Sequence, residues 1–272
     1  MNLYHTLKIA IGESHIETKE RLTQQLFEYC SQNEFISSKD FEPIIFEKPS
    51  YAGFCTIVEP KSLKARKDFH TTEGLATLVH SILHIEYSAI DLALDAVYRF
   101  PDMPQEYKLD WLEVALDEIR HYKMLNSLLV ELGYKHGDFP VHSGLFDALN
   151  HTAHNILERM AIVPRYHEAN GLDVNPHIVK KLLNRQKNPL VKRLIDALDI
   201  IYEEEIVHVY KGDKWFSYLC DIKTLDKDVY FEILEKYKLL DKHRPHFNVV
   251  ARKEAGFSCV EIKRLAKVEC EE

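Results

Sequence analysis

The sequence has few residues of the kinds that break or cross-link a chain. Its 272 residues include 9 Gly and 10 Pro, too few for a collagen-like, low-complexity or turn-rich all-β protein. The 5 Cys contain no C-x-x-C pair, and their odd number predicts a reducing compartment without a disulfide framework or a zinc ribbon. The chain also lacks a secretory signal pattern and any run of about 18 apolar residues, so we expect a cytoplasmic protein without a membrane span.

The charge balance argues against one broad class of function. The 43 Asp and Glu outnumber the 35 Lys and Arg and give a formal net charge of −8. Such a chain does not have a generally nucleic-acid-binding surface, although a local basic patch is compatible with it. Hydrophobic residues make up 46% of the sequence, which excludes disorder for most of the chain. We therefore expect a globular protein.

Helical periodicity organises the chain from Thr72 onwards. Short links containing Pro or Gly separate the periodic segments, which is typical of an all-α four-helix bundle. The predicted long helices cover residues 73–99, 105–132, 144–169 and 189–219, with shorter helices at 176–186 and 226–239.

The residues before Thr72 have a different character. A helix is predicted near residues 14–29, and an irregular arm follows over 35–72, where Pro and Gly recur. The expected organisation is an N-terminal helix and arm (1–70), a four-helix bundle (71–220) and a C-terminal helical extension that packs on the bundle (221–272).

Several acidic residues interrupt the apolar faces of the long helices. Glu86 lies on the apolar face of the first helix, Glu118 and His121 on that of the second, and Glu205 and His208 on that of the fourth. An ionised Glu inside a bundle is costly unless it is paired or binds a metal. Both Glu-x-x-His pairs have the i, i+3 spacing that directs two side chains to one side of a helix.

The third long helix offers two acidic candidates. Glu158 lies roughly 160° from the centre of the apolar face, whereas Glu168 lies roughly 80° from it. We favour Glu168 as the inward residue. Glu158 stays open as the alternative, because Glu168 is close to the predicted helix end at Gly171.

A Glu-x-x-His from each of two helices and one Glu from each of two others form the ligand set of dimetal-carboxylate bundles. The set predicted here is Glu86, Glu118, His121, Glu205 and His208, with Glu168 or Glu158. Carboxylates with two imidazoles suit two iron ions, an iron–manganese pair or two manganese ions. The alternative is a buried network of salt-bridged carboxylates and core histidines.

The motifs around these residues resemble the ferritin-like superfamily, and more closely a bacterial ferritin-like family of unknown function. Where that family typically has Arg, this chain has Asn170, and Glu158 is not at a position of the family pattern. The matching stretches include His84-Ile-Glu86, Asp117-Glu-Ile-Arg-His121, Gly137-Asp-Phe-Pro140, Val163-Pro-Arg165, Glu168-Ala-Asn-Gly-Leu-Asp173, Glu204-Glu-Ile-Val-His208 and Ala255-Gly-Phe257.

This resemblance implies a ferritin-like four-helix bundle and a metal site rather than a particular reaction. A neighbouring ferritin-like group hydroxylates a modified adenosine in tRNA, and its third-helix Glu is followed by Ala, similar to Glu168-Ala169 here. Our leading hypothesis is a non-heme di-iron oxidoreductase that activates oxygen, with a hydroxylase as one form of it.

The expected partners of such an enzyme are a small-molecule or modified-RNA substrate, an electron-donor protein and a second copy of the chain, with no membrane. Tyr87, Tyr122 and Tyr202 lie near the predicted ligands, and we expect them mainly to fill the core. A ferritin-like iron-oxidising or storage protein is one alternative. Another is a metal-stabilised module that binds RNA or protein through the nine Lys and Arg of residues 236–267.

Overall fold

The computed structural model describes residues 2–33, 41–63, 69–241 and 246–271. These residues are mainly helical and carry no strand beyond an isolated β-bridge between Ile57 and Val141, which confirms the all-α prediction for the described chain. The contacts between residues divide the chain into two compact units, Met1–Ala153 and His154–Glu272. None of the described helices is long and apolar enough to cross a membrane.

The first unit contains five α-helices among its described residues. They are α1 (Leu3–Gly12), α2 (Ile16–Gln32), α3 (Thr72–Arg99), α4 (Gln105–Glu131) and α5 (Gly144–His151), with short 3₁₀ segments at Ser50–Gly53 and Pro60–Ser62.

The second unit contains a second group of helices. They are α6 (Ile156–Ile162), α7 (Ala169–Leu182), α8 (Pro189–Lys223), α9 (Val229–Lys236), α10 (Val249–Glu254) and α11 (Cys259–Ala266), with a π-helix at Val163–Glu168 and a 3₁₀ turn at Leu183–Arg185.

Helices α3 and α4 pack along each other and form the centre of the first unit. The side chain of Thr71 accepts the N–H of Gly74 and so starts α3, and the helix ends just before Pro101. Gly133, at φ +85°, ends the α4 segment as the sequence predicted. Helix α3 is buried on nearly all sides, because α4, α1 and α5 pack against it.

A buried ion pair joins the N-terminal helices to α3. Lys19 of α2 is fully buried, and its Nζ contacts the carboxylate of Asp91 and donates to the carbonyl of Ala10 at 2.9 Å. Ser50 donates to the same carboxylate at 2.5 Å. The N-terminal region therefore consists of two helices anchored on α3, where the sequence predicted one helix at 14–29.

The prediction of one continuous third helix over residues 144–169 is wrong. The helix stops at His151, and α6 begins where the Asn155 side chain accepts the N–H groups of Leu157 and Glu158. Pro164 then lacks the N–H that an α-helical hydrogen bond needs, and the chain continues as a π-helix over Val163–Glu168.

The C-terminal helices are fixed to the second unit by buried ion pairs. Arg252 of α10 contacts Asp173 at 2.6 Å, and Glu261 of α11 contacts Arg165 at 2.6 Å. The Arg165 guanidinium lies 4.2 Å from the centre of the Tyr230 ring. The residues beyond 220 thus contribute to the core of the second unit.

The expectation of a chain without disulfides is wrong for one pair. Lys267 adopts a left-handed conformation after α11, so the chain turns back and brings Cys270 to Cys259, where the two form a disulfide. The Cα atoms of the pair are 5.3 Å apart, within the normal range for a disulfide. The other cysteines, Cys30, Cys55 and Cys220, are free and buried.

Candidate metal centre

Three of the predicted ligands meet inside the first unit. Glu86 comes from α3, and Glu118 and His121 come from successive turns of α4. His121 Nδ1 lies 3.3 Å from Oε2 of Glu86 and 3.3 Å from Oε2 of Glu118. Ligand atoms about 2.1 Å from one ion lie about 3.0–3.4 Å apart, so this spacing is compatible with a shared metal. All three residues are buried.

The charges of these groups favour a cation between them. Burial raises the pKa of Glu86, and the neighbouring charge of Glu118 raises it further. Burial alone would lower the pKa of His121, but hydrogen bonds and charges from Glu118 and Glu86 outweigh it and raise that pKa. Two buried carboxylates therefore face one ring nitrogen, which binds a proton when no other cation neutralises them.

The second unit carries the other Glu-x-x-His pair on α8. His208 is buried, and its Nδ1 lies 3.5 Å from Oε1 of Glu205. The two side chains project from one side of the helix, as the i, i+3 spacing predicts.

The packing of the π-helix against α8 determines which residues of α8 lie beside Glu168. A Cβ at Gly212 would lie 2.4 Å from the Pro164 Cβ, so the two backbones approach closely there. Farther along, Asn175 Nδ2 donates to the carbonyl of Leu198 at 2.9 Å, so the two segments run antiparallel. Four residues after Pro164 is Glu168, and four residues before Gly212 is His208.

Glu168 consequently lies at the level of His208 within the second unit. It ends the π-helix, is half-buried, and has its Oε2 atom shielded from solvent. π-Helical turns are rare and are found frequently at functional sites.

The alternative candidate, Glu158, is engaged in other contacts. Lys236 Nζ donates to its Oε1 at 2.6 Å, and the Tyr237 hydroxyl donates to its Oε2 at 2.6 Å. His154 Nε2 lies 3.3 Å from the same Oε2. Burial raises the pKa of Glu158, but the hydrogen bonds from Lys236 and Tyr237 and the charge of Lys236 outweigh it and lower that pKa overall. This carboxylate therefore joins α6 to α9.

The tyrosines beside the predicted ligands are occupied in packing. Tyr87 stacks edge-on against Tyr122, with ring centres 5.4 Å apart, and donates its hydroxyl to the carbonyl of Ser14 at 3.1 Å. The hydroxyl of Tyr202 accepts the side-chain amide of Asn248 at 2.7 Å. Tyr87 and Tyr122 are buried, as a core-filling role requires, whereas Tyr202 is only half-buried.

No sequence pattern pointed to a further group of potential ligands in the first unit, formed by Cys55, His84 and His136. Their distance along the chain is the reason, since 81 positions separate Cys55 from His136. The sequence offered one indication of this group, because His84 lies two residues before the predicted ligand Glu86.

Comparison with known proteins adds a family but no activity. The family model described as "Protein of unknown function (DUF455)" matches residues 12–263. An "Uncharacterized protein" of Haemophilus influenzae is 37% identical over 278 aligned positions, which cover 98% of this chain and 94% of that protein. No solved structure matches the chain.

Proposed function

We propose, from the premise that this chain belongs to the DUF455 family of unknown function, that it is a dimetal-carboxylate oxidoreductase with two iron ions as its cofactor. The observation that carries the proposal is the buried group of Glu86, Glu118 and His121, whose ligand atoms have the spacing of a metal site. The second Glu-x-x-His, at Glu205 and His208, supports it independently.

The donor set fits such a cofactor in number, type and charge. We propose Glu86, Glu118, His121, Glu168, Glu205 and His208 as the ligands. Four carboxylates balance the charge of two divalent ions, and oxygen donors with two nitrogens suit iron or manganese. We prefer Glu168 to Glu158, because both oxygens of Glu158 already accept hydrogen bonds.

A pair of iron ions with such ligands supplies two-electron chemistry with oxygen. The protein's own part begins with His121, which has to release its proton to bind a metal through Nδ1. Glu86 and Glu118 hold that ring nitrogen from two sides and fix its orientation. A substrate of small-molecule or modified-RNA type and an electron-donor protein complete the proposal.

The ferritin-like tRNA hydroxylases remain the analogy for this reaction class. A ferritin-like iron-oxidising protein would use the same ligands, and turnover of an organic substrate distinguishes the two.

The basic C-terminal segment gives less support to a role in RNA binding alone. Arg252 is buried against Asp173, and Lys236 contacts Glu158. Lys242 and Arg244 lie outside the described residues. Two of the basic residues that the structure describes in this segment therefore have structural roles.

Metal analysis of the purified protein tests the proposal. We expect about two ions per chain after expression with iron and manganese, and near-ultraviolet absorption after iron loading in air. The Glu118→Ala/His208→Ala double variant should lose both ions, whereas Glu113→Ala, an exposed acid on the same helix as Glu118, should keep them. A well-folded wild-type protein that binds no iron or manganese would refute the proposal.

The same measurement decides between the two third-helix candidates. Glu168→Gln should lower the metal content, and Glu158→Gln should leave it unchanged. The reverse result would assign the ligand to Glu158.

A further inference from the structure

The first unit contains a second group of donor atoms, separate from the carboxylates. Cys55 of the N-terminal arm, His84 of α3 and His136 of the α4–α5 connection each offer one ligand atom, and these atoms lie within 4.8 Å of one another. The residues are only 8%, 5% and 9% exposed, respectively. His84 and Glu86 are two positions apart, about 200° around the helix, so the two groups lie on opposite faces of α3.

The hydrogen bonding of His84 determines which of its ring nitrogens carries the proton. Its Nε2 lies 3.3 Å from the carbonyl oxygen of His142, which can only accept, so Nε2 carries the proton and Nδ1 does not. A histidine held in this way by a backbone carbonyl is the usual arrangement of a metal ligand.

The spacing of the two rings matches a tetrahedral ion. His84 Nδ1 lies 3.4 Å from His136 Nε2. Two nitrogens that bind one zinc ion at about 2.05 Å in tetrahedral geometry lie about 3.3 Å apart.

His136 is held by packing. Its Nδ1 is buried and has no hydrogen-bond partner among the described residues. The ring contacts Phe54 at 5.0 Å and Tyr87 at 5.2 Å between ring centres, which fixes its orientation.

A glycine brings the Cys55 and His136 segments together. Gly137 has φ +101°, and a Cβ there would lie 2.3 Å from the carbonyl oxygen of Phe54, so other residues would push the segments apart. The Gly137 N–H donates to His80 Nε2 at 3.0 Å. His80 thus orients the loop through the nitrogen that it would otherwise offer to a metal.

The arm is fixed at the same place by backbone hydrogen bonds. The Val58 N–H donates to the carbonyl of Val141 at 2.8 Å, and the Val141 N–H donates to that of Thr56 at 3.0 Å. These two hydrogen bonds connect the part of the arm that carries Cys55 to the segment that follows His136.

We propose that Cys55, His84 and His136 bind one zinc ion, with the fourth position open to water or a small ligand. Sulfur and imidazole donors suit zinc, whereas the carboxylate group on the other face of α3 suits iron or manganese. The site does not depend on the proposed oxidoreductase function.

Cobalt is the direct probe, because a thiolate–cobalt bond gives a charge-transfer band that oxygen and nitrogen ligands do not give. Full-length protein is stripped with a chelator and titrated with Co²⁺, then with Zn²⁺. We expect the band to appear in the wild type and in Glu118→Ala/His208→Ala, and to disappear as one equivalent of Zn²⁺ displaces cobalt.

Matched variants identify the ligands. Cys55→Ser and His136→Gln should lose the band and one equivalent of zinc, whereas Cys30→Ser and Cys220→Ser, at the other buried free thiols, should keep both. Circular dichroism confirms that each variant is folded. Absence of the band in folded wild-type protein, or its survival in folded Cys55→Ser, would overturn the zinc site without affecting the test of the iron site.

Discussion

Replacement of Gly212 by Ala tests the contact that sets the register of the second unit. A Cβ at this position would lie 2.4 Å from the Cβ and 2.6 Å from the Cγ of Pro164, well inside the separation of real Cβ atoms. Both atoms belong to a rigid ring in the π-helix, so the neighbour cannot rotate away. Overpacking of this kind typically costs about 1–3 kcal/mol.

Replacing Gly by Ala in a helix also raises the intrinsic stability of the helix, and this gain opposes the cost of overpacking. It amounts to about 0.5–1 kcal/mol and would hide part of the overpacking cost. Gly171 supplies the matched control, because it is also helical and a Cβ there meets nothing within 4 Å. Gly171→Ala carries the same gain without the clash, so the two variants should differ by about 1–3 kcal/mol.

The assay is urea unfolding of metal-free protein, with the free energy of unfolding compared between the two variants. Gly212→Ala should be the less stable, and it should also bind less iron, since the displaced π-helix carries Glu168 away from the level of His208. Equal stability of the two variants would refute the close packing at Pro164 and the register deduced from it.

Three further outcomes are expected. Arg165→Ala should lower the free energy of unfolding by about 3–5 kcal/mol in urea titration, because it leaves two buried carboxylates without their cation. The exposed control, Arg193→Ala, should change the free energy of unfolding little. Burial, followed by the charges of His84 and His80, lowers the pKa of His136 to about 2. Metal-free protein should therefore be fully stable above about pH 6.5 and lose stability as the pH falls below that value. A melting temperature that rises on acidification would contradict this prediction. Reduction of Cys259–Cys270 should cost about 3 kcal/mol, measured by unfolding with and without reductant, with Cys259→Ser insensitive to the reductant.

The sequence predicted the long, strongly periodic helices well. The segments 73–99 and 105–132 correspond to α3 and α4 within one residue at each end, because Pro and Gly mark their limits. The inward placement of Glu86, Glu118 and His121 follows from the same periodicity, and the structure brings these three together.

The third helix shows why the remaining site was harder to predict. A helical wheel assumes one winding throughout, but the π-helix before Glu168 holds more residues per turn. The angles deduced for Glu158 and Glu168 around the helix axis therefore cannot be compared on a single helical wheel. The break before Asn155 depends on a cap, which a period of 3.6 does not reveal.

Contacts between distant segments could not be predicted from local pattern at all. The Cys259–Cys270 disulfide depends on the left-handed turn at Lys267, where the sequence has no Gly or Asn to indicate it. The approach of Cys55 to His136 depends on the close contact at Gly137, which only the fold reveals.

The ion pair between Arg165 and Glu261 also has a consequence for biosynthesis. The two residues lie 96 positions apart, and Arg165 is fully buried once the unit is formed. At about 5–20 residues per second, a ribosome needs about 5–20 s to reach Glu261 after Arg165. The guanidinium pairs with both Asp213 and Glu261, and it cannot be buried at low cost before both carboxylates exist. We therefore expect the first unit to fold during translation, while the second waits for its last helix before its core can close.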